Sequence, residues 1–200
     1  MIRLIVGMIL AYLIGSFPTA FLFAKFLKGV DIRKVGSGNV GATNVYRSVG
    51  KLTGFAVLFI DILKGAIPVF LFPPILQLGF DSNPELPRIL IGSSAIIGHV
   101  WTVFLRFKGG KGVATTAGVL LALSPKVLGC AFIVWVIIFA ISKYVSLASI
   151  IAASLLPIFG YFFTKNITLT IFFTIVAILG ILKHKSNISR LLNGTEHKVL

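Results

Sequence analysis

Three polar stretches in an otherwise apolar chain carry residues suited to handling phosphate. The first, VGSGNVGATNVYR, runs from Val35 to Arg47. Gly36, Gly38 and Gly41 let the backbone turn its N–H groups toward an anion, and Ser37, Asn39, Thr43 and Asn44 add neutral donors. Arg47 closes the run with a planar guanidinium that can grip a phosphate through two parallel hydrogen bonds. Gly36, Gly38 and Gly41 formally match G-x-G-x-x-G, and Asp61 stands 20 residues beyond Gly41. A dinucleotide fingerprint also needs a buried strand before it and a βαβ unit around it. Here DIRK precedes the run and apolar helical segments flank it, so only the local anion-binding physics survives. An ordinary interhelical loop is the competing reading. Three glycines, four small polar residues and an arginine in so short a run weigh against it.

The second stretch is FKGGKGVATT, in which Lys108 and Lys111 bracket Gly109 and Gly110, and Gly112 opens the next helix. A helix start is an anion site because its free N–H groups and its dipole point at the ligand, and Thr115 and Thr116 follow in the first turn. A basic anchor with a glycine turn would read the same way. The third stretch is the tail KHKSNISRLLNGTEHK, from Lys183 to Lys198. His184 and Asn187 lie one helical turn apart and can share a cavity. His184, whose proton equilibrium is nearest neutrality, is the best general-base candidate, against the alternative of a histidine capping a helix end. Ser146 and Ser149 in KYVSLAS repeat that spacing, where helix packing is the simpler role.

The elements that must position these residues are membrane helices. Of the 200 residues 57% are hydrophobic and 12% charged, and the mean hydropathy is +1.03, beyond what a soluble surface tolerates. A helix needs about 20 apolar residues to cross about 30 Å of hydrocarbon. Seven candidate spans emerge, over 4–24, 53–78, 89–107, 113–123, 127–141, 147–163 and 167–182. The fourth is short and ends at Ser124-Pro125, so it and the fifth can form one hairpin, and six spans remain an alternative. The apolar run of the first is longer than that of a signal peptide, and a retained helix is expected. The expectation is one all-α transmembrane domain over 1–200.

Cytoplasmic loops should carry the excess Lys and Arg. With seven spans and the N-terminus outside, 14 of the 19 basic residues fall inside; Arg3, Arg88, Lys126 and Lys165 fall outside, and Lys64 within a span. That asymmetry predicts an N-out, C-in topology with all three polar stretches on one face. The formal net charge of +14 on so apolar a chain argues against nucleic acid and for anionic lipid or phosphorylated substrates. Asp61 and Lys64, spaced i,i+3 within the second span, either pair or serve a site; His99 lines a site or bonds a neighbouring helix. The single cysteine, Cys130, allows no intrachain disulfide and no zinc cluster.

The order and completeness of VGSGNVGATNVYR, KGGKGVATT, YVSLAS and KHKSNISRLLNGTEHK resemble the bacterial membrane acyltransferases that move a fatty acyl group from acyl phosphate to glycerol 3-phosphate. The resemblance covers nearly the whole chain, with Ser186 the one noticed departure, standing where an acidic residue is more usual. It implies a seven-span inner-membrane fold with a cytoplasmic active site, producing lysophosphatidic acid and inorganic phosphate in the first acylation of phospholipid synthesis. It also implies no metal, no cofactor, no coenzyme A thioester and no obligate protein partner. In the assignment it implies, Ser37, Arg47, Lys111, Ser149, His184 and Asn187 hold glycerol phosphate and orient its hydroxyl. The backbone of Gly38, Asn39, Val40, Gly41, Ala42, Thr43 and Asn44, with Lys108, cradles the acyl phosphate. Gly109, Gly110, Gly112 and Ser146 complete the substrate-binding set.

Elementary chemistry agrees. An acyl phosphate is an activated mixed anhydride, so positioning and charge stabilisation suffice without a covalent intermediate. That suits a chain with five carboxylates. None of His99, His184 and His197 has an Asp at H-x-x-x-x-D spacing. Either His184 or a substrate phosphate can take the hydroxyl proton, and with no carboxylate evident near His184 to fix its tautomer, the phosphate is favoured. A transporter would place its site near the midplane and show an internal repeat; neither is visible. A lipid-binding protein would need only basic clusters, not the asparagines, serines and glycines.

Overall fold

A computed structural model describes residues 1–78 and 85–199. Every regular element among the described residues is helical, and they cluster into two compact units, Met1–Leu123 and Ser124–Leu200.

The first unit holds α1 (Ile2–Ser16), α2 (Thr19–Lys28), α3 (Ala42–Ser48), α4 (Lys51–Ile75), α5 (Glu85–Val100) and α6 (Val113–Leu123). Lipid tails are as apolar as leucine, so such helices associate through close packing at small residues. Gly15 of α1 lies against the Ala95 carbonyl of α5, and Gly98 of α5 against the Tyr12 carbonyl of α1. Gly65 and Gly118 do the same for α4 and α6, against the Thr115 and Ile62 carbonyls; a Cβ at any of the four would strike backbone. The first expected span is broken at Phe17-Pro18, where proline has no N–H to continue the ladder. The third is shorter than its apolar run: α5 stops at Val100, and a 3₁₀ turn over Val103–Leu105 follows.

The second unit holds α7 (Pro125–Ser142), α8 (Val145–Ser154), α9 (Leu156–Thr164), α10 (Ile167–Lys183) and α11 (Lys185–Leu192). α8 and α9 meet at a 43° bend next to Pro157, and α10 and α11 at a 57° bend at His184. Asn166 opens α10 by accepting from the Thr168 and Leu169 amides at 2.9 and 3.2 Å. On α7 only Val127 and Ala131 are buried, while Phe132, Ile133, Val136, Ile137 and Ile141 are exposed, as a lipid-facing helix requires.

Among the described residues four stretches are long and apolar enough to cross a membrane: Ile2–Lys28 taken through its break, Lys51–Ile75, Glu85–Leu105 and Pro125–Ser142. The two bent pairs raise this to six. The fourth expected span keeps its bounds as α6, but 11 residues fall short of a crossing.

Candidate active site

In the first unit the chain from Asp31 to Ser48 is held down by Ile32, Val40 and Val45, which insert into an apolar cluster with Ala20, Ala24, Val57 and Leu105. Above that floor Gly36 and Gly38 adopt left-handed φ of 58° and 70°, which side-chain-bearing residues seldom take. Asn44, 1% exposed, ties the loop from within. Its amide nitrogen donates to the carbonyls of Ile32 (3.1 Å), Val35 (3.0 Å) and Asn39 (3.1 Å). Its oxygen accepts from the Ser37 amide at 3.0 Å and the Ser48 hydroxyl at 3.4 Å.

Several expected anion donors are therefore committed to the protein. The Asn44 side chain faces the loop and not its mouth, and its backbone N–H donates to Gly41 O at 3.1 Å. The Gly38 N–H donates to Val35 O at 3.0 Å. Ser37 is exposed at the rim, Asn39, Gly41, Ala42 and Thr43 are half-buried, Val40 is buried in the floor, and Arg47 is half-buried on α3.

The second glycine loop folds back on the end of α5. Gly109 N–H donates to Val100 O and Gly110 N–H to His99 O, both at 3.1 Å, so these two amides also serve the loop itself. A side chain at Gly109 would collide with the His99 carbonyl, and one at Gly110 with the His99 ring. Thr102 fixes the preceding turn, donating to Ser16 O at 2.5 Å and accepting from the Phe104 amide at 3.3 Å. Gly112, with φ of 87°, opens α6 by accepting from the Thr116 amide at 2.7 Å. Lys108 is exposed and Lys111 half-buried beside it. Both glycine loops thus belong to one unit, which carries Arg47 on α3 and Lys108 and Lys111 on the second loop. Asp61 and Lys64 pair with each other at 2.9 Å.

In the second unit His184 and Asn187 are 3% and 5% exposed. His184 Nδ1 lies 2.8 Å from Gly180 O. A carbonyl only accepts, so Nδ1 carries the proton in the neutral ring and Nε2 is left as acceptor. Asn187 donates to Glu196 Oε1 at 2.6 Å, Ser146 donates to the same oxygen at 2.7 Å, and Arg190 Nε donates to Oε2 at 2.7 Å. Burial alone would raise the Glu196 carboxyl pKa; the three donors, Ser146, Asn187 and Arg190, outweigh it and hold it below the ordinary glutamate value. Ser149 donates to Val145 O at 2.8 Å and accepts from Trp135 Nε1 at 3.1 Å.

Glu196 is the member of this cluster that sequence reasoning missed. The sequence shows no carboxylate to fix the His184 tautomer; a backbone carbonyl does so, and Glu196 anchors Asn187 one turn on. One signal was present, since Glu196 is the only acidic residue after Glu85.

A family profile described as glycerol-3-phosphate acyltransferase matches residues 5–194. The chain belongs to the glycerol-3-phosphate acyltransferase family. A glycerol-3-phosphate acyltransferase of Desulforamulus reducens is 46% identical over 198 residues, 99% of this chain and 94% of that protein. Glycerol-3-phosphate acyltransferase 2 of Moorella thermoacetica is 45% identical, covering 98% and 97%. Among solved structures, the glycerol 3-phosphate form of PlsY (YgiH), an integral membrane glycerol 3-phosphate acyltransferase, aligns with a TM-score of 0.89 at 42% identity, over 98% of this chain and 94% of that one. Its lysophosphatidic acid form aligns at 0.86 and 40%. The chain is an acyltransferase enzyme of this glycerol-3-phosphate acyltransferase family and an integral membrane protein.

Proposed function

We propose that this chain transfers a fatty acyl group from acyl phosphate to glycerol 3-phosphate as a single domain over 1–200, releasing 1-acyl-glycerol 3-phosphate and inorganic phosphate. The observation that carries the reading is the pair of glycine loops in one unit with Arg47, Lys108 and Lys111, in a chain similar over 98% of its length to a solved glycerol 3-phosphate form. The proposal includes a bacterial inner-membrane location and about seven transmembrane helices, counting the short α6 as the fourth, with the N-terminus outside and the polar loops cytoplasmic, supported by the placement of 14 of 19 basic residues. No nucleic acid and no obligate protein partner enter it.

The glycerol hydroxyl attacks the acyl carbon, the bond from that carbon to the bridging phosphate oxygen breaks, and the proton ends on the departing phosphate. Lys108 and the backbone from Asn39 to Thr43 cradle the acyl phosphate, while Gly38, Gly109, Gly110 and Gly112, the first three with amides committed to the protein, shape the loops around it. Arg47, Lys111 and Ser37 take the phosphate of glycerol 3-phosphate, where a guanidinium supplies a bidentate fork. His184 and Asn187 orient the acceptor hydroxyl, which can donate to the unprotonated Nε2; Ser146 serves through Glu196, and Ser149 steadies its helix. The Gly180 carbonyl fixes that tautomer but adds no negative charge to strengthen the base, so a substrate phosphate, with a second ionisation near about pH 6, receives the proton. His184→Gln should then retain partial activity with the acidic limb of its kcat/KM profile intact. The deciding experiment measures phosphate release by purified protein from palmitoyl phosphate. Release that depends on glycerol 3-phosphate, with no transfer from palmitoyl-coenzyme A, is expected. Release independent of glycerol 3-phosphate, or equal rates with both donors, refutes the proposal.

A further inference from the structure

Beneath the two glycine loops of the first unit lies a small recess lined by Ser16, Phe17, Val40, Asp61, Lys64, His99, Thr102, Gly109 and Gly110 among others. It has room for one water-sized group, too little for a phosphate. Its polar lining is almost wholly buried: Asp61 is 2%, Lys64 6%, His99 7% and Thr102 3% exposed. Most of these groups have partners. Lys64 Nζ bonds Asp61 Oδ1 at 2.9 Å and donates to Phe17 O at 3.1 Å, the carbonyl at the α1–α2 break. Thr102 donates to Ser16 O, and the Ser16 hydroxyl donates to Gly98 O at 3.2 Å. Asp61 Oδ1 and His99 Nδ1 are the exceptions: both are buried and neither has a hydrogen-bond partner, the oxygen being held only as the ion-pair partner of Lys64.

An imidazole nitrogen sealed in an apolar membrane unit is expected to have a partner. The Asp61–Lys64 pair supplies the rest of a hydration shell, because an ammonium has three donors and the structure gives this one two acceptors. A water bridging His99 Nδ1 to that pair meets the two to four polar contacts a buried water needs. The other edge of the ring explains the consequence. His99 O accepts the Gly110 amide, and the ring fills the place a Gly110 side chain would take. The ring is therefore wedged between the water-sized space and the KGGKG loop.

We propose that this space is a single-water site joining His99 to the Asp61–Lys64 pair, and that His99 is a positioning residue that sets the KGGKG loop for the acyl-donor phosphate. The second half rests on the function proposed above. It assigns work to three intramembrane groups that touch no substrate, and it makes the occupant a water and not a metal or a second anion.

The test exploits side-chain geometry. The amide of asparagine reproduces the position of Nδ1, and that of glutamine the position of Nε2. His99→Asn should keep the KM for palmitoyl phosphate within about threefold of wild type, while His99→Gln and His99→Leu raise it about tenfold or more, and the KM for glycerol 3-phosphate, which Lys111 of the same loop serves, follows the same order at unchanged melting temperature. A merely structural role moves both KM values together with the melting temperature, and equal behaviour of the Asn and Gln variants at matched melting temperature overturns the proposal. Should His99→Leu fail to fold, the Asn–Gln comparison decides alone. Calorimetric binding of inorganic phosphate to the same variants should follow the same order whatever the acyl donor is, and equal binding by Asn and Gln variants overturns the inference. Wild-type protein that binds phosphate but does not transfer an acyl group overturns the proposed function instead, so the two failures are told apart.

Discussion

Replacing Asn44 with alanine should open the first glycine loop before any substrate arrives. The amide holds three carbonyls and accepts from two donors. The Ile32 contact lies in buried surroundings, and a buried carbonyl left without a donor costs about 1–3 kcal/mol. The part-buried carbonyls of Val35 and Asn39 recover water and add less, for a total of roughly 2–4 kcal/mol. At about 1.4 kcal/mol per tenfold, that is a fall of roughly 30- to 700-fold in kcat/KM if only the ordered loop reacts. Asn44→Asp is nearly isosteric and keeps the acceptor for Ser37, but it turns a carboxylate toward three carbonyls and should be no better than alanine. Phosphate release gives the rate, and hydrogen exchange of amides 32–44 in substrate-free protein reports the loop. Both variants should exchange faster there than wild type. A large loss of kcat/KM with unchanged substrate-free exchange would refute the internal-tie reasoning and place the Asn44 amide on the substrate.

Arg47→Lys should raise the KM for glycerol 3-phosphate about tenfold or more, because an ammonium cannot reproduce the planar fork; steady-state kinetics with both substrates varied checks it. Glu196→Gln keeps one acceptor oxygen for three donors and presents an N–H toward Arg190, so activity should fall about tenfold or more. The folded-state pKa of Glu196 is depressed, so its contribution is present above the ordinary value of 4.5 and is lost as pH falls through the lower folded value. Proteolytic protection of the tail at 194–199 should accordingly hold from pH 7 to 5 and drop only below about 4.5 in wild type, with no such step in the glutamine variant. Single cysteines at Ser37, Lys108 and Ser186, all exposed, with Cys130 replaced, should react with an impermeant thiol reagent from the cytoplasmic side alone. Labelling of any one from outside would break the single-face topology.

The helical class and the polar motifs were legible in the sequence because both depend on local composition. An apolar run of 20 or so residues has few alternatives to a membrane helix, and glycine clusters announce unusual backbone whatever surrounds them. The bend beside Pro18 was visible in principle, since proline removes a ladder hydrogen bond. Pro68, Pro73 and Pro74 inside α4 show why that inference is unsafe, for they leave the helix running from Lys51 to Ile75. The bend at His184 has no proline to announce it. What the sequence could not give was the direction of individual polar side chains. Asn44 reads equally as a donor to substrate or to its own loop, and only the positions of the Ile32, Val35 and Asn39 carbonyls decide. The contact of Glu196 with Ser146 spans 50 residues, and no periodicity reports such a closure.

The brevity of α6 has a consequence for how the enzyme meets its bilayer. Eleven residues rise about 16 Å, little more than half the roughly 30 Å hydrocarbon slab. A helix of that length standing along the membrane normal leaves at least one end submerged, and the end that begins at Gly112 is the KGGKG loop. Irregular backbone survives at such depth only when protein satisfies it, and the amides of Gly109 and Gly110, returned to the end of α5, meet that condition. If the submerged end is the one at Gly112, a phosphate held there would sit below the headgroup plane, and an amphiphile would reach it by sinking a short way with its chain still among the lipid tails. The water-soluble glycerol ester has to surrender hydration to descend. Partition between two phases, and not only complementarity of contacts, then governs how the two reactants are brought together.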